Sequence, residues 1–201
     1  MSDKTAPDAA RRSQRSRQAI CEAALSLVGE TGYDKLTIEG IAARAGVGKQ
    51  TIYRWWPSKG AVLLDAFTES VEAGEGTLPD TGDLSTDLKA VLQATVDEFN
   101  DPAFQAPYRA LYVAMVNDSE VSAGFTSKVM EPGTQAYVDR IRAAQDAGEV
   151  AEEIDPRLAA ELILGPFAQR WLLRSQPLTH EFADSLVDMV LAGLRPRAPR
   201  A

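Results

Sequence analysis

The chain has 201 residues, of which 45% are hydrophobic and 25% are charged, and its formal net charge at pH 7 is −8. A chain of this length and composition can bury a substantial core and form one or two domains. The single cysteine excludes an intramolecular disulfide framework, and no run approaches the roughly 18 apolar residues of a membrane span, so we expect a cytoplasmic protein.

The charge is distributed unevenly along the chain. Residues 1–60 contain ten basic and six acidic residues, which gives +4, whereas the remainder carries −12. Such asymmetry indicates a nucleic-acid-binding module joined to a domain of another kind. We therefore expect contact with DNA through the N-terminal end alone, because the acidic remainder repels phosphate.

The N-terminal residues predict an arm followed by a helix. Residues 1–12 are polar and are predicted to be disordered, and the first helix then stops near Gly32. Its apolar stripe consists of Ile20, Ala24, Leu27 and Val28. Cys21 lies in this helix, where a small core residue is the favoured interpretation over a redox sensor. The basic run at 11–17 fits either a solvated helix face or contact with phosphate or the minor groove.

Residues 36–60 read LTIEGIAARAGVGKQTIYRWWPSKG and predict two short helices on either side of a glycine turn. The apolar residues of the first helix follow i, i+3, i+4, i+7 spacing and are Ile38, Ile41, Ala42 and Ala45. Thr37 is a suitable N-cap, and Gly46 tolerates the left-handed conformation in which many helices end. Ser58 can cap a further helix that begins at Lys59.

The second short helix leaves polar and basic side chains available on its outer face. Gln pairs bidentately with adenine, Lys or Arg pairs with guanine, and the Thr methyl group contacts thymine. Tyr hydroxyls, Lys and helix N-termini suit phosphate oxygens. An ordinary helical hairpin with a polar face is the alternative, but the residue types together favour a helix that enters the major groove. These residues are Lys49, Gln50, Thr51, Tyr53 and Arg54.

This segment resembles the N-terminal DNA-binding domain of TetR/AcrR-type transcriptional regulators over roughly residues 15–64. The resemblance is carried by the pattern T-I-x-x-I-A-x-x-A-G-V-x-x-x-T-I-Y-x-x-W/F-x-S-K. It implies that Thr37, Tyr53 and Lys59 touch the DNA backbone, and that Trp56 packs inside the domain. It also implies an all-α protein with an N-terminal helix-turn-helix domain and a C-terminal helical domain for ligand binding and dimerisation.

Two positions depart from the common pattern of that family. Many relatives have Ser where this chain has Gly48, which puts one phosphate contact in doubt, and a small residue where it has Gln50. Gln50 is therefore a candidate base contact particular to this protein. The predicted DNA-binding residues are Thr37, Arg44, Gly48, Lys49, Gln50, Thr51, Tyr53, Arg54, Trp55 and Lys59.

The remaining sequence predicts further helices and contains no useful β-alternation. GEGTLPDTGD at 74–83 is a loop by composition. The helices are expected after Val62, over Leu84–Phe99, near 104–116, near 122–146 with a kink or split at Pro132, near 158–174 and near 181–194. The predicted organisation is an arm at 1–12, a DNA-binding domain at 13–60, a ligand-binding and dimerisation domain at 61–194, and a flexible tail at 195–201.

The final helix is apolar on two sides, which indicates burial on two sides. One stripe consists of Phe182, Leu186, Met189, Val190 and Gly193, and the other of Ala183, Val187, Leu191 and Leu194. One side can face its own core, and the other suits a second copy, although another helix of the same chain is the alternative. The resemblance implies a homodimer through the last two long helices. The predicted interface residues are Leu162, Phe167, Phe182, Leu186, Val187, Met189, Val190 and Leu194.

Bulky side chains are concentrated in the middle helices and can line a mostly apolar pocket, although plain core packing is favoured for any single residue. The resemblance implies a pocket in this region whose ligand shifts the dimer away from its DNA-binding form. The predicted pocket residues are Phe67, Phe99, Tyr108, Tyr112, Met115, Phe125, Met130, Tyr137, Phe167 and Trp171.

Motifs of known enzymes are missing from the sequence, which has no G-x-S-x-G, no H-E-x-x-H, no P-loop and no Cys/His cluster. We therefore expect no catalytic residues, no metal and no cofactor. The sequence predicts a repressor that binds a palindromic operator in double-stranded DNA as a homodimer and is released by a small, mostly apolar ligand. A ligand-independent regulator is one alternative, and a helical small-molecule-binding protein or enzyme without DNA function is another.

Overall fold

A computed structural model of the protein describes residues 6–71 and 78–195. Within these ranges the chain is helical and has no strand, which confirms the predicted all-α fold. No helix in these ranges is long and apolar enough to cross a bilayer. The helices are α1 (Ala6–Thr31), α2 (Ile38–Ala45), α3 (Lys49–Tyr53), α4 (Lys59–Val71), α5 (Leu84–Asn100), α6 (Pro102–Asn117), α7 (Ser119–Phe125), α8 (Glu131–Asp146), α9 (Pro156–Leu173) and α10 (His180–Leu194).

The chain divides into two compact units. Unit 1 comprises Met1–Gly74 and Gln105–Thr126, and unit 2 comprises Glu75–Phe104 and Ser127–Ala201. Packing therefore groups α4, α7 and most of α6 with the N-terminal helices, whereas the sequence suggested a boundary at residue 60. The boundary at residue 60 between a DNA-binding domain and a ligand-binding domain stays a prediction.

Side chains close to the helix ends determine where several helices begin. Thr37 accepts a hydrogen bond from the backbone N–H of Gly40 at 3.0 Å and so caps α2, as predicted. Gly46 ends α2 with φ 67°, the left-handed conformation expected for this glycine. Further N-caps on later helices are Asp83, Asp118, Asp155 and Thr179.

Unit 1 is built around α1, which packs against α2 and α4, while α3 packs on α2 and α7 on α4. The apolar stripe of α1 is directed into the core, as the spacing predicted, and Ile20 and Ala24 are fully buried. The large fully buried side chains contributed by α2, α3, α4, α6 and α7 include Ile41, Ile52, Val62, Leu63, Leu111 and Phe125.

Unit 2 consists of two main helix pairs, α5 with α10 and α8 with α9, joined by contacts of α9 with α10 and of α5 with α8. Its most buried side chains are Leu88, Leu92, Ile141, Ile163 and Val187. A buried ion pair also lies here, because Asp87 of α5 receives hydrogen bonds from Arg140 of α8 at 2.8 and 3.0 Å.

Three predicted segments differ from the structure or fall partly outside it. The arm was expected over 1–12, but α1 begins at Ala6, because residues 6–12 are rich in alanine and arginine, which favour helix. The described ranges leave out residues 1–5, 72–77 and 196–201. Part of the loop predicted at 74–83 and nearly all of the tail predicted at 195–201 therefore lie outside them. The helix expected near 122–146 is split, as anticipated, and its halves are joined by a π-helical turn over Thr126–Met130.

Candidate DNA-binding surface

The helix-turn-helix is formed by α2, the turn at Gly46 and α3. Ile41 and Ile52 are fully buried and hold the two helices together, and the N–H of Val47 donates to the carbonyl of Ala42 at 3.0 Å. The apolar positions of both helices are thereby directed inward. The remaining positions of α3 face solvent and form a short polar surface.

The predicted base-reading side chains lie on this surface. Gly48, Lys49, Gln50 and Arg54 are exposed, and Thr51 is half-buried. Tyr53 is 51% exposed although its ring is large and apolar, which leaves both the ring and the hydroxyl accessible to a ligand. The arrangement has the shape and chemistry of a recognition helix, whose first residues contact base edges.

The two adjacent tryptophans have different environments. Trp56 is buried, and its Nε1 donates to Oδ2 of Asp65 at 3.0 Å, which matches its expected place in the core. Trp55 is exposed, and the guanidinium of Arg54 lies 5.7 Å from the centre of its ring. Trp55 and Arg54 therefore lie side by side, just beyond the end of α3.

Lys59 points into the domain instead of away from it. Its Nζ donates to the carbonyls of Tyr33 and Leu36 at 2.9 Å each, and it lies 4.3 Å from the centre of the Tyr33 ring. These bonds hold the segment that leads into Thr37 and α2. An ammonium group has three hydrogens, and two of them are used here. Lys59 thus positions the start of α2, whether or not it also reaches a phosphate.

Several other basic groups of residues 1–60 are paired with carboxylates. Arg44 makes a bidentate pair with Glu30 at 2.8 and 2.9 Å, and hydrogen bonds from Arg44 and Ser26 lower the pKa of Glu30 to about 2. Lys49 contacts Glu39 at 2.9 Å. Arg17 of the basic run binds both Asp65 and Glu69 on α4. Glu30 and Glu39 are already included in the net charge of +4, but Asp65 and Glu69 lie outside residues 1–60, so +4 overstates the net positive charge around Arg17.

Cys21 is buried beside the same α1–α4 ion pairs. Burial raises the pKa of its thiol to about 12, and the carboxylates of Glu69 and Asp65 contribute in the same direction. A thiol that stays protonated at neutral pH is a poor nucleophile. This environment favours the predicted core role over a redox role.

Family comparisons match both parts of the chain. Residues 20–66 match the family described as bacterial regulatory proteins, tetR family, and residues 78–190 match the tetracyclin repressor-like C-terminal domain. The second match alone covers more than half of the chain. The chain belongs to the TetR family of transcriptional regulators.

Individual relatives agree with the TetR assignment over nearly the full length. The HTH-type transcriptional regulator YdeS of Bacillus subtilis is 29% identical over 185 residues, which cover 92% of each chain. The DNA-binding transcriptional repressor TetR of Mycobacteroides abscessus is 30% identical over 184 residues, covering 90% of this chain and 94% of the relative. The crystal structure of the TetR family regulator SCO0332 has a TM-score of 0.68 and 29% identity, covering 88% of this chain and 99% of that one.

These relatives establish what the helix-turn-helix is for. The protein is a DNA-binding transcriptional repressor and not an enzyme. The predicted family and the predicted DNA-binding regulatory function are thereby confirmed.

The aromatic residues predicted to line a pocket in this TetR-family protein fall into two clusters. In unit 1, the ring centres of Phe67, Tyr108, Tyr112 and Phe125 lie 5.3–5.8 Å from their neighbours. In unit 2, Phe99 packs on Phe104, Phe167 and Trp171 at 5.0–5.5 Å. Of the remaining predicted residues, Met115 is half-buried, Met130 is exposed and Tyr137 is buried. Packing thus divides a set that the sequence suggested as one.

The predicted dimer residues also separate into two groups. Phe167, Leu186, Val187 and Leu194 are buried within unit 2 and offer little side-chain surface to a second copy. Leu162 is 49% exposed and Met189 is 72% exposed, while Phe182 and Val190 are half-buried. Leu158, Leu172 and Leu173 were not among the predicted residues, and they are also exposed on α9. Their helical spacing from Leu162 was the signal that could have identified them.

Proposed function

We propose that this repressor acts in the cytoplasm as a homodimer on an inverted-repeat operator and that a small, mostly apolar ligand releases it from DNA. The observation that carries the dimer is an apolar face on α9 and α10 that unit 2 leaves exposed. A homodimer with one recognition helix per subunit places two such helices in successive major grooves, about 34 Å apart. An operator for such a dimer has matching two-fold symmetry.

The apolar face of α9 has the periodicity of a helix-packing surface. Leu158, Leu162, Leu172 and Leu173 lie within about 100° of one another around the helix axis, at 100° per residue. Gly165 lies in the middle of this face and allows close approach of a neighbouring helix. Met189 adds a mainly exposed apolar side chain on α10, which packs against α9. Exposed apolar surface of this extent favours an interface, and a two-fold dimer is the commonest way to cover one.

The DNA contacts are assigned by exposure and chemistry. Gln50 is exposed near the start of α3, and its amide can pair with the N6 and N7 of adenine. Thr37, at the exposed start of α2, and the hydroxyl of Tyr53 suit phosphate oxygens. Lys49 and Arg54 flank Gln50 along the helix and can reach guanine or phosphate.

The effector part of the proposal is supported by side-chain chemistry. Tyr108 and Tyr112 are half-buried and combine an apolar ring with a hydroxyl. Burial raises the pKa of Tyr112 although a hydrogen bond with Tyr108 acts in the opposite direction, so its hydroxyl stays protonated and is a polar group beside the aromatic rings. Ligands of this kind typically meet apolar walls with a few polar groups.

The operator proposal is tested by selection from a random-sequence duplex library with the purified protein at low salt. We expect enrichment of an inverted repeat whose half-sites are about 10 base pairs apart, or somewhat more. Repeating the selection with Gln50→Ala should relax the preference at one base pair per half-site, at a cost of about 1–3 kcal/mol. Enrichment of a single, unrepeated site would contradict the dimer model, and an unchanged profile for Gln50→Ala would contradict its base contact.

A further inference from the structure

Glu39 holds the first side chain of the recognition helix. Its Oε1 lies 2.9 Å from Nζ of Lys49, and the two side chains are 62% and 54% exposed. The hydrogen bond from Lys49 lowers the pKa of Glu39, which is ionised at neutral pH. Exposed pairs of this kind contribute little to folding stability. We therefore expect the pair to affect the binding of DNA at this surface rather than the stability of the fold.

Glu39 of α2 provides the negative charge that lies beside the start of α3. The first turn of α3 contains no acidic residue, and Gly48 provides no side-chain cap. A cation at a helix N-terminus is disfavoured by the helix dipole, so Lys49 at this position is compensated by a carboxylate from α2. The pair spans the two helices of the helix-turn-helix and lies on its exposed side.

Base contacts and phosphate contacts make different demands on this pair. An ammonium group has three hydrogens, so Lys49 can keep its bond to Glu39 while it donates to the O6 or N7 of guanine. A phosphate that approaches Lys49 also approaches the carboxylate of Glu39, and the like charges repel each other. Non-operator binding depends almost entirely on phosphate contacts, whereas operator binding adds base contacts.

We propose that Glu39 is a specificity-determining residue, which weakens binding to non-operator DNA more than binding to the operator by holding Lys49. The role presupposes the proposed operator, which the wild-type selection tests by itself. A failure of that selection is thus distinguishable from a failure of this proposal. The consequence is that loss of the carboxylate should make the protein bind DNA more tightly and less selectively.

The test compares wild type with Glu39→Gln by fluorescence anisotropy, using the duplex selected by wild type and a scrambled duplex of equal length. Each additional phosphate contact that the variant makes adds about 0.9 to the magnitude of the slope of log affinity against log salt concentration. At 0.15 M salt this corresponds to an affinity gain of about fivefold for each recognition helix bound. We expect this gain on the scrambled duplex and a smaller gain on the selected one, so the ratio between them falls.

Two further variants of this protein test whether Glu39 acts through Lys49. In a Lys49→Gln background no ammonium group draws a phosphate to the side of the Glu39 carboxylate, so Glu39→Gln should leave both affinities unchanged within about twofold. Asp139→Asn removes the same charge from an exposed pair with Arg142 on α8, and it should not change the ratio. An unchanged ratio for Glu39→Gln would overturn the proposal. So would an equal effect of Glu39→Gln without Lys49, or an equal effect of Asp139→Asn.

Discussion

The buried carboxylate of Asp87 connects the segment that precedes α5 to α8. It accepts hydrogen bonds from the backbone N–H and the hydroxyl of Thr81, at 3.1 and 2.7 Å, and from Nε and Nη2 of Arg140. Nε of Arg140 also donates to the carbonyl of Pro79 at 3.1 Å. The segment that precedes α5 is thereby fastened to α8, with both charged side chains almost wholly inside unit 2.

Asp87→Asn should destabilise the protein by up to about 3–5 kcal/mol, because the buried charge of Arg140 then keeps only the more distant and more exposed carboxylates of Asp80 and Glu149. The free energy of unfolding, measured in urea at pH 7 by circular dichroism, checks this value. Asp188→Asn is the matched control, since it removes a carboxylate from a more exposed pair with Lys89, and it should cost less than about 1 kcal/mol. Equal effects of the two variants would contradict the role of burial.

The contribution of Asp87 should depend on pH with a definite sign. Burial alone would raise the pKa of Asp87, but the hydrogen bonds from Thr81 and Arg140 outweigh it, and the pKa is lowered. An Asp in the unfolded chain titrates near 3.9, so the stabilisation is complete above about pH 4 and is lost as the pH falls through the folded-state pKa. The difference in stability between wild type and Asp87→Asn should therefore narrow below about pH 4. A difference that stays constant from pH 7 to pH 3 would exclude this linkage.

Among the helices, α4 and α7 approach each other closely because both carry glycines at the contact. A Cβ atom on Gly60 would lie 2.9 Å from Cγ2 of Val121, and one on Gly124 would lie 2.6 Å from Cδ2 of Leu64. The helix starts are also connected, since Ser58 caps α4 and donates to Asp118, which caps α7. Both features belong to unit 1, so α7 packs as part of the DNA-binding unit.

Gly60→Ala should destabilise the protein by about 1–3 kcal/mol, because the branched side chain of Val121 is buried and cannot rotate away from the new methyl group. Gly133→Ala is the control, since nothing lies within 4 Å of its added Cβ on α8. It should stabilise the helix by up to about 1 kcal/mol. Thermal unfolding followed by circular dichroism measures both, and a higher Tm for Gly60→Ala would show that the contact adapts.

Element boundaries could be predicted wherever they depend on neighbouring residues. The cap at Thr37 and the stop at Gly46 each involve bonds within about five residues, so the sequence pattern located α2 correctly. The π-helical turn over Thr126–Met130 had no comparable local signal. Only the break associated with Pro132 was predicted, because proline interrupts a helix by its own geometry.

At the scale of the whole molecule, the exposed face of α9 should control assembly. Leu162→Arg places a charge in the proposed interface, where it would be buried without a partner, so we expect the dimer to dissociate at micromolar concentration. Val116→Arg is the control, because Val116 on α6 is 85% exposed and lies outside α9 and α10. Light scattering after size-exclusion chromatography gives the mass of each protein. A dimeric Leu162→Arg protein would argue against this interface.

Charge is also a property of the whole molecule that residue counts describe incompletely. The +4 of residues 1–60 and the −12 of the remainder predicted an N-terminal DNA-binding end, and the family comparisons confirm a DNA-binding domain there. The count could not show that Arg17, Arg44 and Lys49 are ion-paired. Only the tertiary structure identifies these pairs, because two of the carboxylates, Asp65 and Glu30, lie on other helices than the arginine side chains that they bind.

The sequence by itself determined the fold class, the helix-turn-helix and the family. Helical periodicity, caps and the recognition motif are local patterns, and each can be read within one or two turns of helix. The tertiary structure decided which side of α10 is buried, how the aromatic rings divide between units, and that Lys59 points inward. These outcomes depend on partners far away in the chain, such as Arg140 and Asp87, which are 53 residues apart. Local patterns carry no information about such partners, since burial and pairing arise only when the helices pack.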